Sequence, residues 1–112
     1  MGCIAGSDDH FTENGLISDR YEGVWRYPGI TAVLAESNTL QSIFAALKAR
    51  RCYAFMGGRM WIDFRINGHY MGEEFKNRNE RSIYINVKAD EKIKRITLVK
   101  NCCDYIIMTR TE

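Results

Sequence analysis

The residues best placed to do chemistry come first in the chain. Cys3-Ile4-Ala5 is a short apolar run that stops at Gly6 and then presents Ser7, Asp8, Asp9 and His10. A buried strand that ends in a loop carrying reactive side chains has this form. The other candidates are four cysteines, Cys3, Cys52, Cys102 and Cys103, which have no C-x-x-C spacing and so do not form a zinc-ribbon pattern. With no secretory leader before them they are expected as reduced thiols, most of them small apolar fillers. A cysteine nucleophile would need a histidine base, and His10 and His69 are the two in the sequence. Basic residues gather at Lys48, Arg50 and Arg51 and again along Lys92–Lys100, where they read as solvated faces.

Certain elements must position these groups. From Phe11 to Gly29 no periodicity is sustained, and Asn14-Gly15, Glu22-Gly23 and Pro28-Gly29 punctuate the segment as turns. A loop of that length is expected to be functional, and Tyr21, Trp25 and Tyr27 favour an ordered one. Ile30–Ala35 is nearly all apolar, as in a strand buried on both faces. Ser37 or Asn38 is expected to cap a helix over 39–51, where Leu40, Ile43, Phe44 and Leu47 recur at i, i+3, i+4 and i+7. Beyond Gly57-Gly58 the pattern alternates with period two. Met60, Ile62, Phe64 and Ile66 share one face of a strand while Trp61, Asp63 and Arg65 share the other. Asn67-Gly68 predicts a hairpin into a strand at His69–Met71. Further strands are expected at 83–87, 93–100 and 105–109.

The size of the chain bounds the function. It has 112 residues, 46% of them hydrophobic and 27% charged, which fits one ordinary globular domain. A net charge of +2 is too small for a dedicated nucleic-acid binder, so no specific nucleic acid is expected. The longest apolar stretches fall far below the roughly 18 residues needed to cross a bilayer. The opening residues lack a basic leader and an apolar segment, so the expected location is cytoplasmic.

Gly6-Ser7-Asp8-Asp9-His10 resembles the last metal-binding motif of the polymerase-and-histidinol-phosphatase (PHP) superfamily, a Gly-Ser-Asp-x-His run ending a strand of a distorted barrel. The following text keeps the same order: Gly29–Val33 with Ala35-Glu36, the helix running through Ala46–Arg51 into Cys52-Tyr53-Ala54, then Asp63–Gly68 and Met71-Gly72. Over roughly residues 4 to 75 this is similar to the C-terminal part of uncharacterised PHP-like metallohydrolases. The resemblance implies hydrolysis of a phosphate ester, or less often another ester or amide, by water activated on divalent Zn, Mn or Fe. It makes Asp8 and His10 metal ligands, with Asp8 also orienting or deprotonating the attacking water, and leaves Asp9 as a turn residue. The superfamily's H-x-H motif belongs to upstream barrel strands, and a whole barrel needs about 250 residues.

The expectation is therefore a C-terminal fragment of a PHP-like metal-dependent phosphoesterase, not catalytically competent alone. The alternative is a β-rich, non-enzymatic binding module using aromatics such as Trp61, Tyr70, Tyr84 and Tyr105. The expected fold class is α+β: one amphipathic helix packed on a mainly antiparallel sheet of about five strands. Residues 1–55 would be a strand–helix remnant of the barrel and 56–112 an antiparallel module. The helix stripe, shaped for a barrel, would either dock on the C-terminal sheet or drive homo-oligomer formation through exposed apolar surface.

Overall fold

The computed structural model describes residues 2–6, 29–78 and 80–109. Their elements are β1 (Gly29–Val33), α1 (Leu40–Lys48), β2 (Cys52–Met56), β3 (Met60–Ile66), β4 (His69–Tyr70), β5 (Ile83–Ala89), β6 (Arg95–Lys100) and β7 (Cys103–Thr109). The class is as expected, strands with one helix and antiparallel pairing throughout. The single five-stranded sheet is not: the strands form three small sheets, β1-β2, β4-β3-β5 and β6-β7.

β1 pairs antiparallel with β2, from Gly29 opposite Met56 to Val33 opposite Cys52. Strands of an α/β barrel run parallel, so the described strands show no barrel remnant. β1 is half-buried along its whole length instead of buried on both faces. β2 occupies residues expected to prolong the helix, and the division at 55/56 falls at its last residue.

α1 is shorter than its apolar pattern because both ends are fixed locally. Thr39, not Ser37 or Asn38, is the cap, its Oγ1 accepting from the Ser42 N–H at 3.3 Å. At the other end Arg50 takes a left-handed φ of 60°. The Arg50 N–H donates to Leu47 O and the Arg51 N–H to Ala46 O, both at 2.9 Å. This is the Schellman pattern, with arginine where glycine is usual. At about 100° per residue, Ile43 and Ala46 lie on one side of the apolar arc and Leu40, Phe44 and Leu47 on the other. β1 covers the first side, and Ala46 is buried. The second side is open, with Leu40 79%, Phe44 65% and Leu47 40% exposed. The stripe does not dock on the C-terminal strands.

The β3–β4 turn is as the sequence predicts. Asn67 (φ 51°) and Gly68 (φ 81°) form a two-residue loop between the paired Ile66 and His69, both central residues being left-handed as a type I′ turn requires. β5 pairs with β3 along its whole length, Met60 opposite Ala89 through Ile66 opposite Ile83. Because β4 reaches only Arg65 and Ile66, the remaining length of that edge has no strand beside it among the described residues. There the Tyr53 hydroxyl donates to the Met60 carbonyl (2.8 Å) and accepts from the Ile62 N–H (3.2 Å), joining the first sheet to the second.

Among the described residues the buried apolar set is small, Ala46 and Cys52. In the β6–β7 ribbon the neighbours Ile106 (65%) and Ile107 (52%) are both exposed. The pairing shifts register between Ile96 opposite Met108 and Thr97 opposite Ile106, so Ile107 is the extra residue of a β-bulge, while Ile96, Leu98 and Met108 are half-buried.

Candidate functional site

Asp8 and His10 lie outside the described residues, as do Asp9, Tyr21, Trp25 and Tyr27. The residues leading to them, 2–6, are described, and they are not the expected buried strand: they form no strand, and Cys3 and Ile4 are exposed. The Ala5 N–H donates to Thr31 Oγ1 (2.9 Å) while the Thr31 hydroxyl donates to the Ala5 carbonyl (2.8 Å). Gly29 sits against the same segment, so a Cβ there would lie 2.8 Å from Gly6 O. Thr31 and Gly29 thus hold the apolar run before Ser7 beside β1.

A cavity of about 630 Å³ lies between the first two sheets. Leu34, Ala35, Trp61 and Ile62 form its apolar wall, and Arg51, Asp63, Arg65 and Glu73 are among its charged lining. Asp63 and Arg65 face it together because they are two residues apart on β3. Arg65 Nε donates to Asp63 Oδ1 at 2.9 Å and Nη2 to Oδ2 at 2.7 Å, a bidentate pair. Asp63 is buried at 9% exposure. The guanidinium lies 4.2 Å from the Tyr70 ring centroid and 5.7 Å from that of Tyr84. These are Arg65's partners across β4 and β5. Sheet register therefore builds the arginine clamp.

The hydrogen bonds from Arg65 hold the Asp63 carboxyl below its ordinary value, and the same bonds raise Arg65. Such a carboxylate binds a proton less readily when folded than when unfolded. Its stabilisation is complete above about pH 4, the ordinary aspartate value, and is lost as pH falls through its lower folded value. Asp63→Asn is expected to flatten this part of the acid limb, so that lowering pH from 6 to 3 shifts the urea midpoint less in the variant than in the parent. Equal shifts in both chains would count against the pair.

His69 is committed elsewhere. Its Nδ1 lies 2.8 Å from Glu73 Oε2, and its ring stacks on Phe75 at 4.1 Å and 14°. Glu73 is held below its ordinary value chiefly by that His69 bond, with help from the Tyr70 N–H and the charge of Arg51. No described histidine is left to serve a cysteine as base. Cys52 is buried, but Cys3, Cys102 and Cys103 are exposed, which corrects the expectation that most of the cysteines fill apolar space. Arg50 donates to the Gly72 carbonyl (2.9 Å) and pairs with Glu74 (2.8 Å), joining the helix end to the turn after β4. Arg51 is half-buried on the cavity wall with no ion pair among the described residues.

Among the described residues no group of three or more His, Cys, Asp or Glu side chains could hold a metal ion. No described helix is long and apolar enough to cross a membrane. The Asp63–Arg65 pair was visible in the sequence as opposite charges on one strand face. Its enclosure by Tyr70 and Tyr84 was not, because that depends on the register of three strands.

The chain is 29% identical over 109 residues to an uncharacterised protein of Chlamydia pneumoniae, covering 90% of this chain and 17% of the relative. It is 31% identical to an uncharacterised protein of Chlamydia muridarum and 32% to one of Chlamydia trachomatis serovar D, with the same coverage. It thus spans about a sixth of the length of the curated relatives it matches. No solved structure matches it. The family model described as "Protein of unknown function (DUF3604)" matches residues 4–92, well over half of the chain, and the chain therefore belongs to that family.

Proposed function

We propose that this chain is the C-terminal portion of a longer, PHP-like metal-dependent phosphoesterase and is not catalytic by itself. The observation that carries this reading is the half-covered helix. Leu40, Phe44 and Leu47 form an apolar face that nothing described in the chain covers, and the relatives supply several times this length of polypeptide. A face of this kind is ordinary where another body packs on it. On this reading α1 and the stem at 2–6 pack on the preceding, barrel-forming part of the long chain, and β3–β7 are its appendage.

Asp8 and His10 would be two ligands of a divalent metal. Two donors fit such a group only in part, since tight catalytic sites use three or more protein ligands, and the rest would come from the preceding part. When bound, the metal would polarise the phosphoryl group and make water more acidic. Asp8 would orient that water and accept its proton. Thr31 and Gly29 would keep the segment before this motif in place. Without the preceding part, the open helix face would instead drive self-association.

The test compares the 112-residue chain with a full-length relative in metal content and in hydrolysis of bis(p-nitrophenyl) phosphate. The long protein is expected to hold metal stoichiometrically and to turn over, and the short chain to do neither. Turnover by the short chain would overturn its dependence on the rest. A metal-loaded long protein inert towards phosphate esters would overturn the activity.

A further inference from the structure

The β6–β7 turn has the same geometry as the Asn67-Gly68 turn. Lys100 and Cys103 are the last paired residues, and between them Asn101 (φ 52°) and Cys102 (φ 60°) are both left-handed. This is again a two-residue type I′ loop, but cysteine stands where glycine is the unstrained choice. Cys102 and Cys103 are thus adjacent thiols, both free and both exposed, at the tip of the β6–β7 ribbon.

Their spacing limits what they can bind. Cα atoms across one trans peptide are about 3.8 Å apart, below the roughly 4.4 Å at which ordinary disulfides begin. Closing a disulfide on themselves is therefore strained and easily reduced, which favours the dithiol. A structural zinc site needs four donors. Among the described residues no further ligand joins these thiols to make a group of three or more. What fits is a thiophilic centre satisfied by two sulfurs, with its remaining bond already occupied.

We infer that Cys102 and Cys103 form a two-sulfur site for a trivalent organoarsenical. The arsenic–oxygen bond of an R–As=O reagent is replaced by two arsenic–sulfur bonds. Both thiol protons leave with the oxygen as one water, and no atom changes oxidation state. Lys100 stands across the ribbon from Cys103 and Asp104 follows it, so the charges beside the site are balanced. The second sulfur attaches intramolecularly, which raises overall affinity by about 10² to 10⁴ over a single thiol.

The competing thiols are Cys3 and Cys52. Gly2 packs against Cys52 Sγ, which puts the neighbouring Cys3 in that region. The experiment treats the reduced 112-residue chain with one equivalent of phenylarsine oxide and follows intact mass. The adduct is then challenged with excess monothiol, and separately with a dithiol. One phenylarsenic group per chain is expected, resisting the monothiol at least about 100-fold longer than a single-thiol adduct and released by the dithiol. Cys102→Gly, which removes the thiol and suits the turn better, should abolish the resistant adduct without loss of fold, and so should Cys103→Ser. Cys3→Ser should retain it. A resistant adduct that survives Cys102→Gly or Cys103→Ser, one that disappears in Cys3→Ser, or no resistant adduct in the parent chain would each overturn the inference.

Discussion

Gly72→Ala is expected to destabilise the chain by about 3 kcal/mol or more, a large share of a domain's total of about 5–15 kcal/mol. Gly72 has φ 89°, in the left-handed region where a Cβ alone costs about 1–2 kcal/mol. The larger contribution is steric. A Cβ there would press into the Ala49 carbonyl oxygen and stand 2.8 Å from the Arg50 carbonyl carbon and 2.9 Å from its oxygen. These are backbone atoms at the C-terminal end of α1, and they cannot rotate aside as a side chain would. Relief would require moving the helix end away from the turn, which would break the Arg50 bonds to the Gly72 carbonyl and Glu74. Gly57→Ala separates the two contributions, since Gly57 has the same φ of 89° but nothing within 4 Å of its added Cβ. It should cost only the backbone share, about 1–2 kcal/mol. Urea denaturation of the three chains gives the comparison, and equal losses in the two variants would show that Gly72 is not a contact point.

In a full-length chain of the family, Asp8→Ala is expected to reduce phosphodiester turnover by about 10² to 10⁴-fold, the usual contribution of a positioned acid–base group. His10→Ala should behave differently. On the proposed reading His10 only holds metal, so its loss weakens affinity and excess metal restores part of the rate. Asp8 also handles the proton of the attacking water, and no metal concentration replaces that. Assays across a metal titration therefore distinguish the two roles. Asp9→Ala, a turn residue in this scheme, should leave turnover within a few-fold of the parent. Full activity in Asp8→Ala would remove the motif from the chemistry.

How much of this was legible depends on how local each cause is. The β3–β4 hairpin was readable because the alternation from Met60 to Ile66 and the Asn67-Gly68 pair both act within a few residues. β2 was not, and the break before it rests on Arg50 adopting a conformation that arginine rarely takes. Whether Leu40 and Phe44 would find cover was also beyond the sequence. Their spacing sets the apolar arc, but the width that β1 can shield follows from how short β1 and β2 are. The motif residues Asp8 and His10 were named by resemblance to a known motif and lie outside the described residues, while the Arg65 clamp required strand register. The left-handed Cys102 was hidden for the same reason as Arg50: the turn geometry usually advertises itself by glycine.

The Tyr53 hydroxyl has a consequence for solubility. An uncovered strand margin is a template on which another molecule's strand can add, the first step towards fibrous aggregates. Along β3 the stretch not reached by β4 would be such a template, with the Met60 carbonyl and Ile62 N–H as its docking points. Tyr53 occupies both with one oxygen. A phenol cannot propagate a ladder as a backbone would, so it ends the sheet there and acts as a stopper against intermolecular growth.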